Sequence, residues 1–358
     1  MIPLVVAAEI RGTDTPFVVR LSATSENKED ALVRPTTQGT LIISHGPARA
    51  RIAGDDAAKF VGDIVLLDPE RATMQRLVRA RSRHNTFLVT EQCDQLCVMC
   101  SQPPKKTHHD NFDHYERAAL LAPENAVLGF SGGEPTLYKR ELFELLTRVH
   151  TDRPDLRFHV LTNAQHFSDS DIPFLSSLAG LTVQWGVPLY APSAGLHDQI
   201  VGKHGAFPAL LDGLAILGRA AANVELRTVL TSMNAPVLPS LAHFISRLVP
   251  FAAPWAIMQL ERIGYASNRW NDLFFDSSAN FEPIARAIDI AMLSEIPTLL
   301  YNFPLCTVPP PYRVLAPATI SDWKNKFLDD CKTCTLRPSC GGFFAWHTDQ
   351  AYSRLEPQ

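Results

Sequence analysis

Between residues 86 and 260 the chain repeats one pattern: a short apolar run of strand length, at 86–90, 126–131, 157–162, 181–187, 224–230 and 255–260, alternating with stretches of helical periodicity. The helical stretches, at 140–150, 169–179, 208–222 and 238–248, carry apolar residues three and four apart, the spacing that gives a helix one core-facing stripe. Strands that alternate with helices predict a parallel sheet wrapped by those helices. Six such units fall two short of a closed eightfold barrel, so the expected fold over 84–300 is α/β, a partial (β/α)6 TIM-like barrel. Residues 1–83 read differently. Their alternating runs, such as 17–21 and 40–44, are separated by Gly, Pro, Asn and Asp, which predicts a small β-rich N-terminal region. From about 301 the pattern breaks at Pro309-Pro310-Pro311, and 301–358 becomes a short irregular segment rich in cysteine.

Composition narrows the chemistry. The chain has 358 residues, 46% of them apolar, enough for one large enzyme domain and smaller appendages. Its 37 acidic and 33 basic residues leave a net charge of -4, with no basic block suited to a phosphate backbone, so nucleic acid is not indicated as a partner. No apolar run reaches the roughly 20 residues that a membrane-spanning helix needs. The N-terminus lacks a basic start and a full signal-type apolar stretch, and the expectation is a cytoplasmic protein with no membrane partner. Seven cysteines, absent from the first ninety residues, fall into two clusters with short gaps. In a reducing compartment such clusters read as metal sites rather than disulfides, and an odd total suits three plus four ligands better than pairs.

The first cluster is Cys93-Asp94-Gln95-Leu96-Cys97-Val98-Met99-Cys100, in the loop after the first barrel strand. A loop this compact can wrap three thiolates round one face of an iron-sulfur cube and leave the fourth iron without a protein ligand. A structural zinc site would need a fourth ligand, for which His108, His109 and His114 are nearest. Loops at the C-terminal ends of barrel strands are where such folds build active sites.

Cys93-x3-Cys97-x2-Cys100 resembles the cysteine motif of the radical S-adenosylmethionine superfamily, and further residues along the core agree. The resemblance implies a 4Fe-4S cluster on these three cysteines, with S-adenosylmethionine bound to the open iron. Gly132-Gly133-Glu134-Pro135 follows the second strand, where the superfamily has a glycine-rich turn at the cofactor's methionine amino group. Two glycines allow close backbone approach, and Glu134 offers a carboxylate to an ammonium. Thr162-Asn163 ends the third strand where related enzymes have Thr-Asn-Gly near the cofactor, with Ala164 in place of the glycine, and Arg227 lies on the fifth strand; for both, a contact to the cofactor and a plain turn or barrel-wall role stand as alternatives. Met99 stands where the superfamily usually has an aromatic residue, so an apolar side chain there would cover the adenine. The implied chemistry is reductive cleavage of the sulfonium to a 5'-deoxyadenosyl radical, which removes a hydrogen atom from substrate; the protein orients it and excludes water. An electron donor such as flavodoxin or ferredoxin is implied as well.

The second cluster, Cys331-x2-Cys334-x5-Cys340 with Cys306 upstream, supplies four thiolates that can ligate another 4Fe-4S cluster or a zinc ion. Its spacing is similar to the auxiliary-cluster segments of SPASM and Twitch type, although Phe344 stands where the longer pattern has a further cysteine. The resemblance implies one auxiliary iron-sulfur cluster, serving as electron conduit, substrate anchor or structural staple.

Residues 85–104 and the tail from Asn325 to Phe344 look like the maturase of the His-Xaa-Ser peptide-modification system. That likeness implies a ribosomal precursor peptide with His-Xaa-Ser repeats as substrate, and a second radical maturase beside it. Two alternatives stand against it: a radical enzyme acting on a small molecule in cofactor or nucleoside synthesis, and a non-catalytic scaffold stapled by zinc or iron-sulfur groups. No catalytic side chain is assigned from sequence. Tyr190, Cys306, His197 and Asp198 are candidates for the barrel mouth, the last two more simply read as local capping.

Overall fold

The fold is described from a computed structural model, covering residues 4–24, 27, 29–36, 38–54, 56–179, 183–348 and 351–355. Seven strands come first: β1 (Val5–Arg11), β2 (Phe17–Ser22), β3 (Ala31–Pro35), β4 (Thr40–His45), β5 (Ala48–Ala53), β6 (Ile64–Asp68) and β7 (Thr73–Val78). They close into a small barrel in the order β1-β5-β4-β3-β2-β6-β7. Strand β5, Ala-Arg-Ala-Arg-Ile-Ala, alternates buried and exposed residue by residue, which is what a pleat with one core face requires. Leu21, Leu41, Ile43, Ile52, Leu67 and Met74 fill the interior. Closure leaves no unpaired strand edge in this ring. The β-rich region expected from sequence is therefore a closed barrel.

Asp63 leads into β6 and is 2% exposed. Its carboxylate accepts from Arg76 Nε at 2.6 Å and from the Ala80 backbone N–H at 3.0 Å. The Arg76 side chain is 7% exposed, so each charge of the pair leans on the other, with Arg79 a further positive charge near Asp63.

The remaining elements alternate. They are β8 (Asn85–Thr90), α1 (Phe112–Leu121), β9 (Val127–Gly132), α2 (Lys139–Asp152), β10 (Arg157–Leu161), α3 (Ile172–Ala179), β11 (Val183–Pro188), α4 (Ala194–Val201) and α5 (Ala206–Arg219). Then come β12 (Asn223–Val229), α6 (Leu238–Leu248), β13 (Trp255–Met258), the short α7 (Gly264–Asn268) and α8 (Trp270–Leu273), α9 (Glu282–Leu293) and β14 (Thr298–Tyr301). Strands β14 to β8 form one sheet in simple sequential order, with β11 to β14 pairing in parallel. That is a partial barrel with seven strands rather than the six expected. The extra strand, Thr298-Leu299-Leu300-Tyr301, is too short to show periodicity. Leu181 and Thr182, included in the fourth expected strand, lie outside the described residues. Helix α6 buries Leu238, Leu241, Ala242 and Ile245, and α9 buries Ile284, Ala287, Ile288 and Ala291, each at i, i+3, i+4, i+7, and the two stripes pack together. Each large aliphatic side chain so buried contributes about 1.5–3 kcal/mol.

By internal packing the chain divides into two compact units: Met1–Val89 with His109–Phe130 and Arg140–Phe158, and Thr90–His108 with Ser131–Lys139 and His159–Gln358. Among the described residues no single helix is long and apolar enough to cross a membrane.

Replacing Asp63 by Asn removes the partner charge and leaves Arg76 buried. The expected loss is about 3 kcal/mol of unfolding free energy, read from urea denaturation, and the paired change Asp63→Leu with Arg76→Met should recover a good part of it. An unchanged urea midpoint in the Asn variant would show that the pair contributes nothing.

Candidate active site

The cysteine loop leaves β8 at Thr90 and is fixed by backbone contacts on both sides. Leu96 N–H donates to Val201 C=O at 3.0 Å and Val98 N–H to Ile200 C=O at 2.9 Å, at the C-terminal end of α4. The Cys100 carbonyl accepts from Tyr265 N–H at 2.8 Å. Beneath the loop, Met99 is 5% exposed and packs in an apolar cluster with Tyr190, Ile200, Val201 and Leu260. Asp94, between the first two cysteines, accepts from Asn163 Nδ2 at 2.8 Å and is paired with His166 at 3.3 Å and with Lys203. Burial works against the ionised Asp94, but His166 and Lys203 outweigh it and hold the carboxyl well below its ordinary range.

The turn after β9 packs against the same loop. Gly133 N–H donates to Thr90 C=O and Glu134 N–H to Gln92 C=O, both at 2.7 Å. A Cβ on Gly133 would sit 2.0 Å from the Gln92 carbonyl oxygen, so only glycine fits. Close approach was expected here toward a ligand; the structure shows it toward the chain's own backbone.

Glu134 is 1% exposed. One carboxylate oxygen accepts from the Thr136 N–H at 2.8 Å, the Thr136 hydroxyl at 2.5 Å and the Thr162 hydroxyl at 2.7 Å, and the other accepts from Asn163 N–H at 2.6 Å. Burial pushes its pKa up while these donors pull it down. Its hydrogen bonds thus tie the end of β10 to the turn after β9. Ala164, where the resemblance has glycine, holds φ at +60°, a conformation that costs a residue with a Cβ about 1–2 kcal/mol.

Cys93, Cys97, Cys100, Gly132, Gly133, Glu134, Thr162, Asn163 and Arg227 all line one cavity of about 240 Å³. Sequence reasoning missed most of the rest of its wall, including Gln95, Gln102, Leu161, Gly186, Pro188, Val229 and Met258; an apolar strand end carries no signal that separates a cavity wall from a core. Tyr190 lines it too. Met99 and Pro135 are not part of the wall: Met99 supports the loop from below, and the buried Pro135 opens a 3-10 turn capped by Glu134. His197 is buried, with its pKa pushed down to about 4 by burial, and accepts from Tyr190 N–H at 3.4 Å. Asp198 accepts from Gly205 and Phe207 N–H at 2.7 and 2.8 Å, the local capping expected of it. His108 stacks on Tyr138 with ring centroids 3.7 Å apart.

Arg227 enters the wall from β12. It donates to Glu225 at 2.6 Å, and His159 on β10 reaches the same carboxylate oxygen at 3.0 Å. The Arg227 guanidinium also lies 5.8 Å from the centre of the Tyr301 ring on β14. A Cβ on Gly186 of β11 would meet Leu161 at 2.5 Å, His159 at 2.8 Å and Arg227 at 3.0 Å, so the bare strand there makes room for this crossing. Burial alone would raise the Glu225 pKa, but His159 and Arg227 lower it to about 2.

The three loop thiols suit a cationic group. Burial, first of all, pushes Cys93 up to about 11 and Cys97 to about 12, and Cys100 upward as well; the neighbouring cysteines push Cys97 further in the same direction. Lys203 and His166 are paired with Asp94, so the positive charge that three thiolates need would come from what they bind. Three thiols on one wall, with a cavity before them, fit an iron-sulfur cluster with one open iron. Among the described residues no group of three or more His, Cys, Asp or Glu is arranged to hold a single metal ion.

The second group is built separately. Strands β15 (Asn325–Lys326) and β16 (Phe343–Phe344) pair antiparallel and close the loop that carries Cys331, Cys334 and Cys340. Leu305 and Gly342 N–H donate to the Cys340 sulfur at 3.4 and 3.3 Å. Burial pushes Cys306 to about 12, and Cys340, Cys331 and Cys334 add to that shift, which places the four cysteines in one neighbourhood.

No protein-family model matches the chain. A curated protein of Oleidesulfovibrio alaskensis, named AdoMet-dependent heme synthase, is 26% identical over 184 residues, covering 50% of this chain and 46% of that protein. The chain thus spans about half the length of the curated relative it matches. Streptococcus suis SuiB bound to S-adenosylmethionine aligns with a TM-score of 0.49 at 15% identity, over 60% of this chain and 49% of that one. A radical SAM methyltransferase from Sphaerobacter thermophilus aligns with a TM-score of 0.46 at 15% identity, over 75% and 76%. The curated relative agrees with the cysteine motif: the chain is similar to the radical S-adenosylmethionine superfamily.

The Glu225 pair yields a pH test. Its carboxyl titrates near 4.5 when unfolded and near 2 when folded, so the stabilisation is complete above about pH 4.5 and drains away as pH falls toward 2. Glu225→Gln should cost about 3 kcal/mol at neutral pH, with the gap to the parent protein closing in acid. Urea midpoints of both proteins at about pH 7 and about pH 3 decide it; a gap that stays constant would rule out the ionised pair as its source.

Proposed function

We propose that the chain is a radical S-adenosylmethionine enzyme that modifies a ribosomal precursor peptide carrying His-Xaa-Ser repeats. In this reading residues 84–300 are the catalytic barrel and 301–358 the auxiliary-cluster segment. The observation that carries the enzyme reading is the cavity whose wall joins Cys93, Cys97 and Cys100 to Gly132–Glu134, Thr162, Asn163 and Arg227. The cysteines hold the cluster. When bound, the cluster and S-adenosylmethionine supply an electron and a cleavable sulfonium, the source of the 5'-deoxyadenosyl radical.

The chain's own residues do the rest. Arg227, kept in place by Glu225, presents the positive charge of the wall to a carboxylate. Glu134 holds Thr162 and Asn163 in position, so both line the cavity from a fixed frame. Pro188, Val229 and Met258 give that wall an apolar side, which keeps water and stray hydrogen donors from a radical. The four later cysteines hold a second 4Fe-4S cluster, and a flavodoxin or ferredoxin supplies electrons. The peptide substrate, with a second radical maturase beside this one, is supported by the resemblance of the cysteine loop and of the Asn325 to Phe344 tail.

Anaerobic reconstitution should give about eight iron and eight sulfide per chain. Changing Cys93, Cys97 and Cys100 to Ala should leave about four and abolish 5'-deoxyadenosine formation, whereas changing Cys306, Cys331, Cys334 and Cys340 should also leave about four. Stoichiometric zinc without sulfide would sink the enzyme reading. If deoxyadenosine forms while the mass of the precursor peptide never changes, the maturase reading fails and a small-molecule substrate takes its place.

A further inference from the structure

The outer face of the small N-terminal barrel concentrates positive charge in a chain that is acidic overall. Register across the strands puts Glu9, Arg51, Ile42 and Arg34 in one row, from β1 through β5 and β4 to β3. The neighbouring row holds Arg11, Arg49 and Ser44. Directly opposed residues share a face, so four arginines and one glutamate stand together on adjacent strands about 4.8 Å apart. All four arginines are exposed. Arg11 pairs with Glu9, and Arg49 is turned onto the backbone carbonyls of Gly46 and Ala48. The side chains of Arg34 and Arg51 make no hydrogen bond or ion pair among the described residues. Like charges directly opposed, as in Arg11 and Arg49, work against the sheet.

The face is also concave. Glu9, Arg11, Arg49 and Arg51 rim a groove of about 340 Å³ whose floor includes Ile42. We infer that this groove binds an acidic segment of a polypeptide, its carboxylates on Arg49 and Arg51 and an aliphatic side chain on Ile42. Arginine forks match carboxylates in two-point geometry, and half-buried Ile42 offers a floor for an aliphatic residue between them. The outward residues of β1, β3, β4 and β5 include no Phe, Tyr or Trp on which a nucleic-acid base would stack, which favours peptide over a single strand. The inference rests on the peptide reading above and deepens it: the substrate polypeptide would be gripped through an acidic stretch as well as at the reacting residue.

The test uses the full chain and a fluorescein-labelled peptide of alternating Glu and Leu, followed by fluorescence anisotropy. Binding should weaken as salt is added, and Arg49→Glu with Arg51→Glu should weaken it by at least about tenfold. Arg219→Glu, an exposed charge on α5, should bind as the parent does. Thermal melts show that both variants are folded. No binding by the parent protein, equal binding by the double variant, or tighter binding of a DNA duplex than of the peptide would each overturn the inference. Anisotropy needs neither cluster nor cofactor, so the two readings fail separately. A protein that binds the peptide but never forms 5'-deoxyadenosine overturns the enzyme reading alone; one that forms it normally and ignores the peptide overturns the groove alone.

Discussion

Everything around the cavity is organised by one buried carboxylate. Glu134 caps the turn after β9 through Thr136 with one oxygen, which also takes the Thr162 hydroxyl, and with the other takes the Asn163 N–H from the end of β10. Four donors on a group 1% exposed replace the water it has lost, which is the condition for burying a carboxylate at all. Asn163, held in this way, turns its amide onto Asp94 in the cysteine loop. The position of that loop is therefore inherited from strand ends far away in sequence.

Gly133 completes the arrangement from the other side. Because it lacks a Cβ, the turn after β9 can lie directly on the Gln92 backbone, one residue before Cys93. The loop is also bonded to α4 through Leu96 and Val98, and Met99 fills the apolar space beneath. Thiols that repel one another's ionisation are thus held together by backbone bonds that do not involve sulfur. That division explains how a residue in the motif can matter without touching a ligand.

Sequence reading reached the chemistry more readily than the framework. Cysteine spacing and strand order are local properties, so the loop, the glycine turn, Thr162, Asn163 and Arg227 were all legible and come together in one cavity. The roles of Glu134 and Gly133 were not, because their partners lie across the fold: an acid after two glycines reads as a ligand to an ammonium, and only the hydrogen bonds show it holding Thr162 and Asn163. The packing of Met99 beneath the loop was not legible either, since a loop has no periodicity to say which side chain faces inward. Strand β14 was lost to its length of four residues, and barrel closure at the N-terminus is a matter of long-range pairing that alternation alone does not encode.

The network behind Arg227 shows how the same logic extends to charge. Glu225 is held ionised by two partners from different strands, His159 on β10 and Arg227 beside it on β12. The carboxylate restrains the guanidinium, so its place in the cavity wall is set by strands of the sheet rather than by a mobile loop. Gly186 is what allows this, because any side chain on β11 at that point would drive His159 and Arg227 apart. A glycine inside a strand, ordinarily a weak point, is here the condition for His159 and Arg227 to share one acid across the sheet.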